Sequence, residues 1–215
     1  MIKFFKHRQF RKPYSFLLSL PLPSVLELGR LRKLNRALFK LNRDFTSYKL
    51  AYKELQEETG LIYIHLNKGK ELKRSLTIID KIGIEHEIDL DEIEFLVQKR
   101  ADQLYPRIHE LVAKGDLIGA KETLHEVIEA IVNRCKKGIF DEDPRIHNNL
   151  GFVGQKAIFI DVGRFVHDPE RRLPSVYTND LTAIVNKRFR PWLESSHPQL
   201  IAYLLEEIDK ISQEN

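Results

Sequence analysis

The chain has 215 residues, 42% of them hydrophobic and 31% charged, and it contains a single cysteine, Cys135. This composition is typical of a globular protein, and it excludes a disordered chain, a disulfide framework and a zinc site built from several cysteines. The net charge of +4 is uneven, because residues 1–43 hold eleven Lys or Arg against one acid, Glu27, which leaves +10 there and −6 in the remainder. A basic segment of this density attracts phosphate on nucleotides, nucleic acids or anionic lipids.

The first part of the chain is predicted to contain one strand, one apolar stretch and two helices. The strand is expected at Ile2–Phe5. Tyr14–Leu28 is apolar but too short for a membrane span, and Pro21 and Pro23 interrupt it. We therefore expect it to dock on a membrane surface or on the body of the protein, and not to act as a secretory signal. The two predicted helices are Leu31–Phe39, and Phe45–Glu58 with Asp44 as its N-cap.

Further along the chain, three predicted strands precede a helical second half. Gly83 and an acidic loop separate the last two strands, and from Leu104 onward the apolar spacing becomes helical. Cys135 lies at helical spacing from apolar residues and is predicted to be buried. The predicted strands are Leu61–Leu66, Leu76–Asp80 and Ile93–Gln98. The predicted helices are Tyr105–Ala113, Leu117–Lys136 (ended by Gly138), Asp180–Phe189 and Pro198–Ile211.

The most informative segment follows the long helix. Asp143 is followed five residues later by Asn148, and Asp161 comes thirteen residues after Asn148, in Asp-Val-Gly. Phe152–Gly154 and Ala157–Ile160 are predicted as two short strands around a turn. This order and spacing resemble the catalytic core of the protein-kinase-like phosphotransferases, where an Asp-x-x-x-x-Asn loop leads through a hairpin to Asp-Phe-Gly.

The resemblance implies a fold class and a division of the chain. The expected fold is α+β and two-lobed, with a nucleotide bound in the cleft between the lobes. Residues 1–98 would form a small strand-containing N-terminal part. Residues 99–215 would form a mostly helical C-terminal part, with the catalytic loop and its hairpin at 139–163.

The resemblance also implies cofactors and roles. ATP and Mg²⁺ are expected, with the γ-phosphate passing to a hydroxyl acceptor. Asp143 would accept or orient the proton of that hydroxyl, and Asn148 and Asp161 would bind Mg²⁺. Lys3, or failing that Lys6, would pair with Glu54 to position the α and β phosphates.

The chain departs from the kinase pattern at several points. Asp141-Glu142 stands where His-Arg usually precedes the catalytic Asp, and Val162 stands where Asp-Phe-Gly has Phe. No glycine-rich phosphate-binding segment occurs, so we expect either that the gene product begins upstream of Met1 or that the chain is an abbreviated relative. Few residues separate Gly163 from the helix near Asp180, so a small-molecule acceptor and a protein acceptor both stay open.

A different class of protein stays open as the alternative. It is a pseudokinase, or a binding module that docks through the basic arm 1–43 on an anionic membrane or, less favoured, on nucleic acid. The expected location is the cytoplasm, with peripheral attachment to a membrane as an option. The histidines show no spacing for zinc, no Gly-x-Ser-x-Gly supports a serine hydrolase, and Arg164 is predicted to be exposed.

Overall fold

The computed structural model describes the backbone of residues 1–5 and 24–213 and the side chains of residues 1–5 and 29–213. Lys6 and most of the apolar stretch Tyr14–Leu28 therefore lie outside the described residues. The described chain is a mixed α+β protein with small antiparallel sheets, which confirms the predicted class at that level. It divides into two compact units, Met1–Thr46 with Tyr63–Gln98, and Ser47–Ile62 with Lys99–Asn215.

The first unit contains a three-stranded sheet and a separate hairpin. In the sheet, β5 lies between β1 and β2, and β1 is antiparallel to β5 with Lys3 opposite Leu96. Strands β3 and β4 pair only with each other, antiparallel, among the described strands. The elements with residues in this unit are β1 (Ile2–Phe4), α1 (Ser24–Glu54, up to Thr46), β2 (Leu61–His65, from Tyr63), β3 (Ser75–Ile79), β4 (Glu85–Asp89) and β5 (Phe95–Gln98).

The second unit is mainly helical and carries two small sheets. Strand β8 lies between β6 and β9 in one sheet, and β7 pairs with β10 in the other. Its strands are β6 (Asp102–Gln103), β7 (Ile139–Asp141), β8 (Leu150–Val153), β9 (Lys156–Phe159) and β10 (Phe165–His167). Its helices, after the last residues of α1, are α2 (Gln56–Thr59), α3 (Leu104–Ala113), α4 (Leu117–Lys136), α5 (Ile146–Asn149), α6 (Pro174–Ile184), α7 (Arg190–Ser196) and α8 (Ile201–Gln213).

Helix α4 forms the centre of this unit. The Asp116 carboxylate caps it by accepting the Gly119 N–H at 2.9 Å, and the chain leaves the helix through Gly138 in the left-handed region, at φ +71°. Its buried face contacts α3, α6, α8 and β9. Cys135 on that face is fully buried, as predicted. The segment 139–167 packs against this face through β7 and β9.

Between α6 and α7 the helix contains one π-helical turn, Val185–Phe189. Beyond it, the Trp192 ring stacks on the Tyr105 ring, with centroids 3.7 Å apart and planes 12° apart. Burial raises the pKa of Tyr105 to about 12, although Arg188 acts in the opposite direction. Phe189 packs beside this stack, 5.9 Å from each ring.

Most predicted elements are confirmed to within a few residues, including β1, β2, β3, β5, α3, α4 and the β8–β9 hairpin. The predicted break between helices 31–39 and 45–58 is wrong, because α1 runs without interruption from Ser24 to Glu54. Asp44 lies inside this helix and pairs with Arg43 at 3.1 Å instead of capping. Neither Gly nor Pro occurs between residues 39 and 45, so nothing in the sequence there stops a helix once it has formed.

Four strands were missed: β4, β6, β7 and β10. Strand β4 lies where an acidic loop was expected, and its residues are mostly polar and exposed, so they lack the alternation that marks a half-buried strand. Strand β6 has two residues and strands β7 and β10 have three each, which is too short for a periodic signal. Among the described helices, none combines the length and the apolarity needed to cross a bilayer.

Candidate functional site

Two pairs of antiparallel strands fix the segment that contains the predicted site. Strand β7 pairs with β10, and the Glu142 N–H extends this pairing by donating to the Arg164 carbonyl at 3.1 Å. Strand β8 pairs with β9, and the Ile160 N–H donates to the Asn149 carbonyl at 2.7 Å. The loop 142–149 and the turn 161–164 therefore run side by side, each held at both ends by backbone hydrogen bonds.

A buried ion pair lies beneath the loop. Arg134 of α4 and Asp141 of β7 are almost inaccessible, with side-chain exposures of 1% and 3%, and their charged atoms are 3.4 Å apart. The guanidinium also lies 5.2 Å from the centroid of Phe159 and 5.5 Å from that of Phe165. Burial raises the pKa of Asp141, while Arg134 and the Asp143 N–H act in the opposite direction. The pair anchors the start of the loop, because Asp141 Oδ1 accepts the Asp143 N–H at 2.9 Å.

The Asp143 carboxylate is held by a neighbouring cation. Arg145 donates from Nε to one carboxylate oxygen at 2.7 Å and from Nη2 to the other at 2.8 Å. Arg164 Nε is 3.9 Å from the second of these oxygens. Arg164 is exposed, as predicted, and this contact is compatible with that exposure. Both oxygens of the predicted catalytic carboxylate are thus already hydrogen-bonded to a residue of the same loop.

The loop ends at two adjacent asparagines, of which one is exposed and one is buried. Asn148, the predicted Mg²⁺ ligand, is exposed and lies in the short helix α5 directly before the hairpin, and its pairing with Asp161 on one Mg²⁺ stays a prediction. Asn149 is buried, and its Nδ2 donates to the Asp143 carbonyl at 2.7 Å. Sequence reasoning missed Asn149, although its place directly before a buried strand was a usable signal.

Asp161 lies in a turn that α1 holds in place. Its Oδ1 accepts the Gly163 N–H at 3.3 Å, and its side chain is otherwise open to solvent. The next residue, Val162, is fully buried, and its carbonyl accepts a hydrogen bond from the hydroxyl of Ser47 on α1. The same hydroxyl accepts the Phe165 N–H at 2.5 Å. Ser47 was not recognised from the sequence, because its partners are more than a hundred residues away.

The two predicted carboxylates share one electrostatic neighbourhood. The pKa of Arg145 is raised chiefly by its hydrogen bonds to Asp143, and the charge of Asp161 acts in the same direction. Both carboxylates also contribute to the raised pKa of Asp141. Asp143 and Asp161 therefore influence the same charged groups, and their action on one catalytic site stays a prediction.

The predicted phosphate-positioning residues lie in different units. Lys3 is on β1 of the first unit, and Glu54 is the last residue of α1, in the second unit. The Glu54 carboxylate is 3.1 Å from His167 Nε2, and its carbonyl accepts from Lys137 Nζ at 2.9 Å. The pairing of Lys3 with Glu54 stays a prediction.

The two predicted metal ligands would bind a metal ion through oxygen atoms. Asn148 and Asp161 offer an amide and a carboxylate oxygen, a donor set that suits Mg²⁺ and not zinc. Among the residues that the structure describes, no group of three or more His, Cys, Asp or Glu side chains is arranged to hold a metal ion. A magnesium ion here would therefore need further oxygens from a nucleotide or from water.

Comparisons with protein-family models, with curated proteins and with solved structures found no match for this chain.

Proposed function

We propose that the protein is a kinase-like phosphotransferase that moves the γ-phosphate of ATP to a hydroxyl acceptor. The observation that supports this most is the arrangement of loop 142–149 beside turn 161–164, which gives Asp143 and Asp161 a common set of charged neighbours. Phosphoryl transfer depends mainly on positioning and on stabilising charge, and a loop fixed at both ends suits that task. The two-lobed arrangement of the family belongs to this proposal as well.

In this proposal each residue has one task. Asn148 and Asp161 hold Mg²⁺, which when bound would neutralise charge on the nucleotide phosphates. Asp143 orients the acceptor hydroxyl and accepts its proton. Lys3 and Glu54 position the α and β phosphates, and the buried pair of Arg134 and Asp141 keeps the loop in place.

Arg145 imposes a condition on this mechanism. Because it donates one hydrogen bond to each Asp143 oxygen, an acceptor hydroxyl must either use a remaining lone pair or displace one of these bonds. The Arg145 side chain is 51% exposed, so it can rotate into water while keeping its charge solvated.

The same contact favours a second candidate function. If Arg145 stays on Asp143, the protein binds Mg-nucleotide without transferring phosphate, as a pseudokinase would. The two candidates differ in one property only, which is the availability of the Asp143 carboxylate.

The experiment measures nucleotide binding and phosphoryl transfer separately. We expect millimolar Mg-ATP to raise the melting temperature, ATP without Mg²⁺ to have little effect, and Asp161→Asn to abolish the Mg²⁺ dependence. Glu142→Gln is the matched control, because it removes an exposed carboxylate of the same loop that has no proposed role. Melting that does not respond to Mg-ATP would contradict both candidates.

Transfer is followed with γ-labelled ATP and a panel of small hydroxyl compounds and proteins. For the phosphotransferase, Asp143→Asn is expected to lower the rate on the order of a hundredfold or more while Mg-ATP binding remains. Binding without transfer in the wild type and in Arg145→Gln would select the pseudokinase. An Asp143→Asn variant as active as the wild type would contradict the role given to this residue.

A further inference from the structure

The first half of helix α1 exposes a dense group of cations. Between residues 29 and 43 the helix has six Lys or Arg and no acidic residue. Arg32, Lys33, Arg36 and Lys40, here called the basic row, are all exposed. None of the four forms an ion pair with any residue that the structure describes. This contrasts with Arg43 in the same helix, which pairs with Asp44.

The basic row has a regular geometry. Arg32, Arg36 and Lys40 are four residues apart, so they follow one line along the helix for about 12 Å. Lys33 lies beside this line. A straight row of cations on a rigid helix presents its charges to a flat or linear array of anions, and not to a single small ligand.

Exposed apolar side chains accompany the row. Phe39 is 69% exposed, Leu31 46% and Leu38 39%. Phe39 follows Arg36 by three residues, so its ring projects from the helix next to the basic row. Leu31 and Leu38 are seven residues apart and lie on a common face. The exposed cations and apolar side chains therefore occur within about three turns of the helix, with Phe39 between the basic row and the side that carries the two leucines.

We propose that this part of α1 docks on an anionic lipid bilayer, with the basic row at the headgroups and the apolar side chains in the outer part of the hydrocarbon region. Phosphates of the headgroups complement the basic row. The acyl chains give Leu31, Leu38 and Phe39 an apolar environment, and the long stems of Arg and Lys allow their charges to reach the headgroups. Binding of this kind does not depend on the proposed phosphotransfer.

The exposed apolar side chains of α1 favour a bilayer over a nucleic acid as the binding partner. A nucleic acid satisfies the basic row through its phosphates and can stack a base on Phe39, but it offers no apolar partner for exposed leucines. A bilayer provides phosphates for the basic row and an apolar environment for Leu31, Leu38 and Phe39 at the same time. Nucleic acid is accordingly the competing result of the test.

The test is flotation of the full chain with phosphatidylcholine vesicles, with and without phosphatidylserine, at low and high salt. We expect retention only on vesicles that contain phosphatidylserine, and a strong decrease at high salt. The triple variant Arg32→Gln/Arg36→Gln/Lys40→Gln should bind about fivefold more weakly for each cation removed, on the order of a hundredfold in all. Phe39→Ser should weaken binding about tenfold and leave the salt dependence unchanged.

A control with the same loss of charge is Lys81→Gln/Lys187→Gln/Arg188→Gln, since these three cations are also exposed but lie elsewhere on the chain. It should retain nearly wild-type binding. If the control variant lost as much vesicle binding as the α1 variant, binding would depend on net charge alone, and the proposal would be overturned. Retention of an RNA or DNA duplex without retention of anionic vesicles would also overturn it, in favour of nucleic acid. Melting temperatures of all variants report that each is folded.

Discussion

Arg134 and Asp141 illustrate how a single buried pair can decide the position of a loop. A charged pair in an apolar core contributes little net stability, yet removal of one partner leaves the other as a buried charge without a counterion. Here the pair has a positional role, because Asp141 accepts the backbone N–H of Asp143. Asp141, one of the two residues that depart from the kinase pattern before Asp143, thus supports the loop.

Asp141→Asn is expected to destabilise the protein by about 3–5 kcal/mol, since the Arg134 guanidinium loses its only carboxylate partner within the described residues. Denaturation in urea measures this. Adding Arg134→Met should restore much of the loss, because no charge is then left in the core.

The comparison is Glu194→Gln, which breaks the half-exposed pair with Arg190 and should have a much smaller effect. If Asp141→Asn and Glu194→Gln had the same effect, the Arg134–Asp141 pair would not be the anchor of the loop.

Helix α1 contacts the candidate site through the Ser47 hydroxyl. Ser47 donates to the Val162 carbonyl and accepts the Phe165 N–H, so it joins the helix to the turn that presents Asp161. Ser47→Ala leaves both backbone groups buried without this partner. We expect a loss of about 1–3 kcal/mol in the free energy of unfolding, and weaker Mg-ATP binding than in the wild type.

Thr46→Ala is the neighbouring control, because the Thr46 hydroxyl donates only to the Asn42 carbonyl of its own helix, at 2.8 Å. Its effect should be within a few tenths of a kcal/mol. A loss in Thr46→Ala as large as that in Ser47→Ala would indicate a general effect on α1.

The sequence predicted those elements in which apolar residues recur at the spacing of a helix or a strand. Helix α4 was placed residue for residue, because its apolar residues recur at helical spacing between Asp116 and Gly138. The motif also located Asp143 and Asp161 in segments that the structure sets side by side. What could not be predicted depends on how the chain is folded in space. The partners of Ser47 are more than a hundred residues away, and the pairs Arg134–Asp141 and Arg145–Asp143 form only when the loop takes its folded conformation. Strands β7 and β10 were missed for the same reason, since three residues form a strand only when a partner is present.

The chain passes between its two units three times. Two of these passages fall inside regular elements, one within α1 at Thr46–Ser47 and one within β2 at Ile62–Tyr63. A helix forms and melts cooperatively along its length, so a helix with residues in both units cannot lose one end without weakening the other. The units are therefore expected to melt together.

Scanning calorimetry should show one transition whose calorimetric and van't Hoff enthalpies agree. Two resolved transitions, or a van't Hoff enthalpy about half the calorimetric value, would show that the units unfold independently.

The π-helical turn Val185–Phe189 determines the direction in which the side chains of the following helix α7 point. One extra residue in a helix turns the downstream side chains by about 100° relative to an uninterrupted α-helix. Trp192 faces Tyr105 only with that offset. Deleting a single residue from this turn would produce a more regular helix and direct the indole away from its partner. In this stretch, regular helical geometry and the stacking of Trp192 on Tyr105 exclude one another, and the chain keeps the stacking.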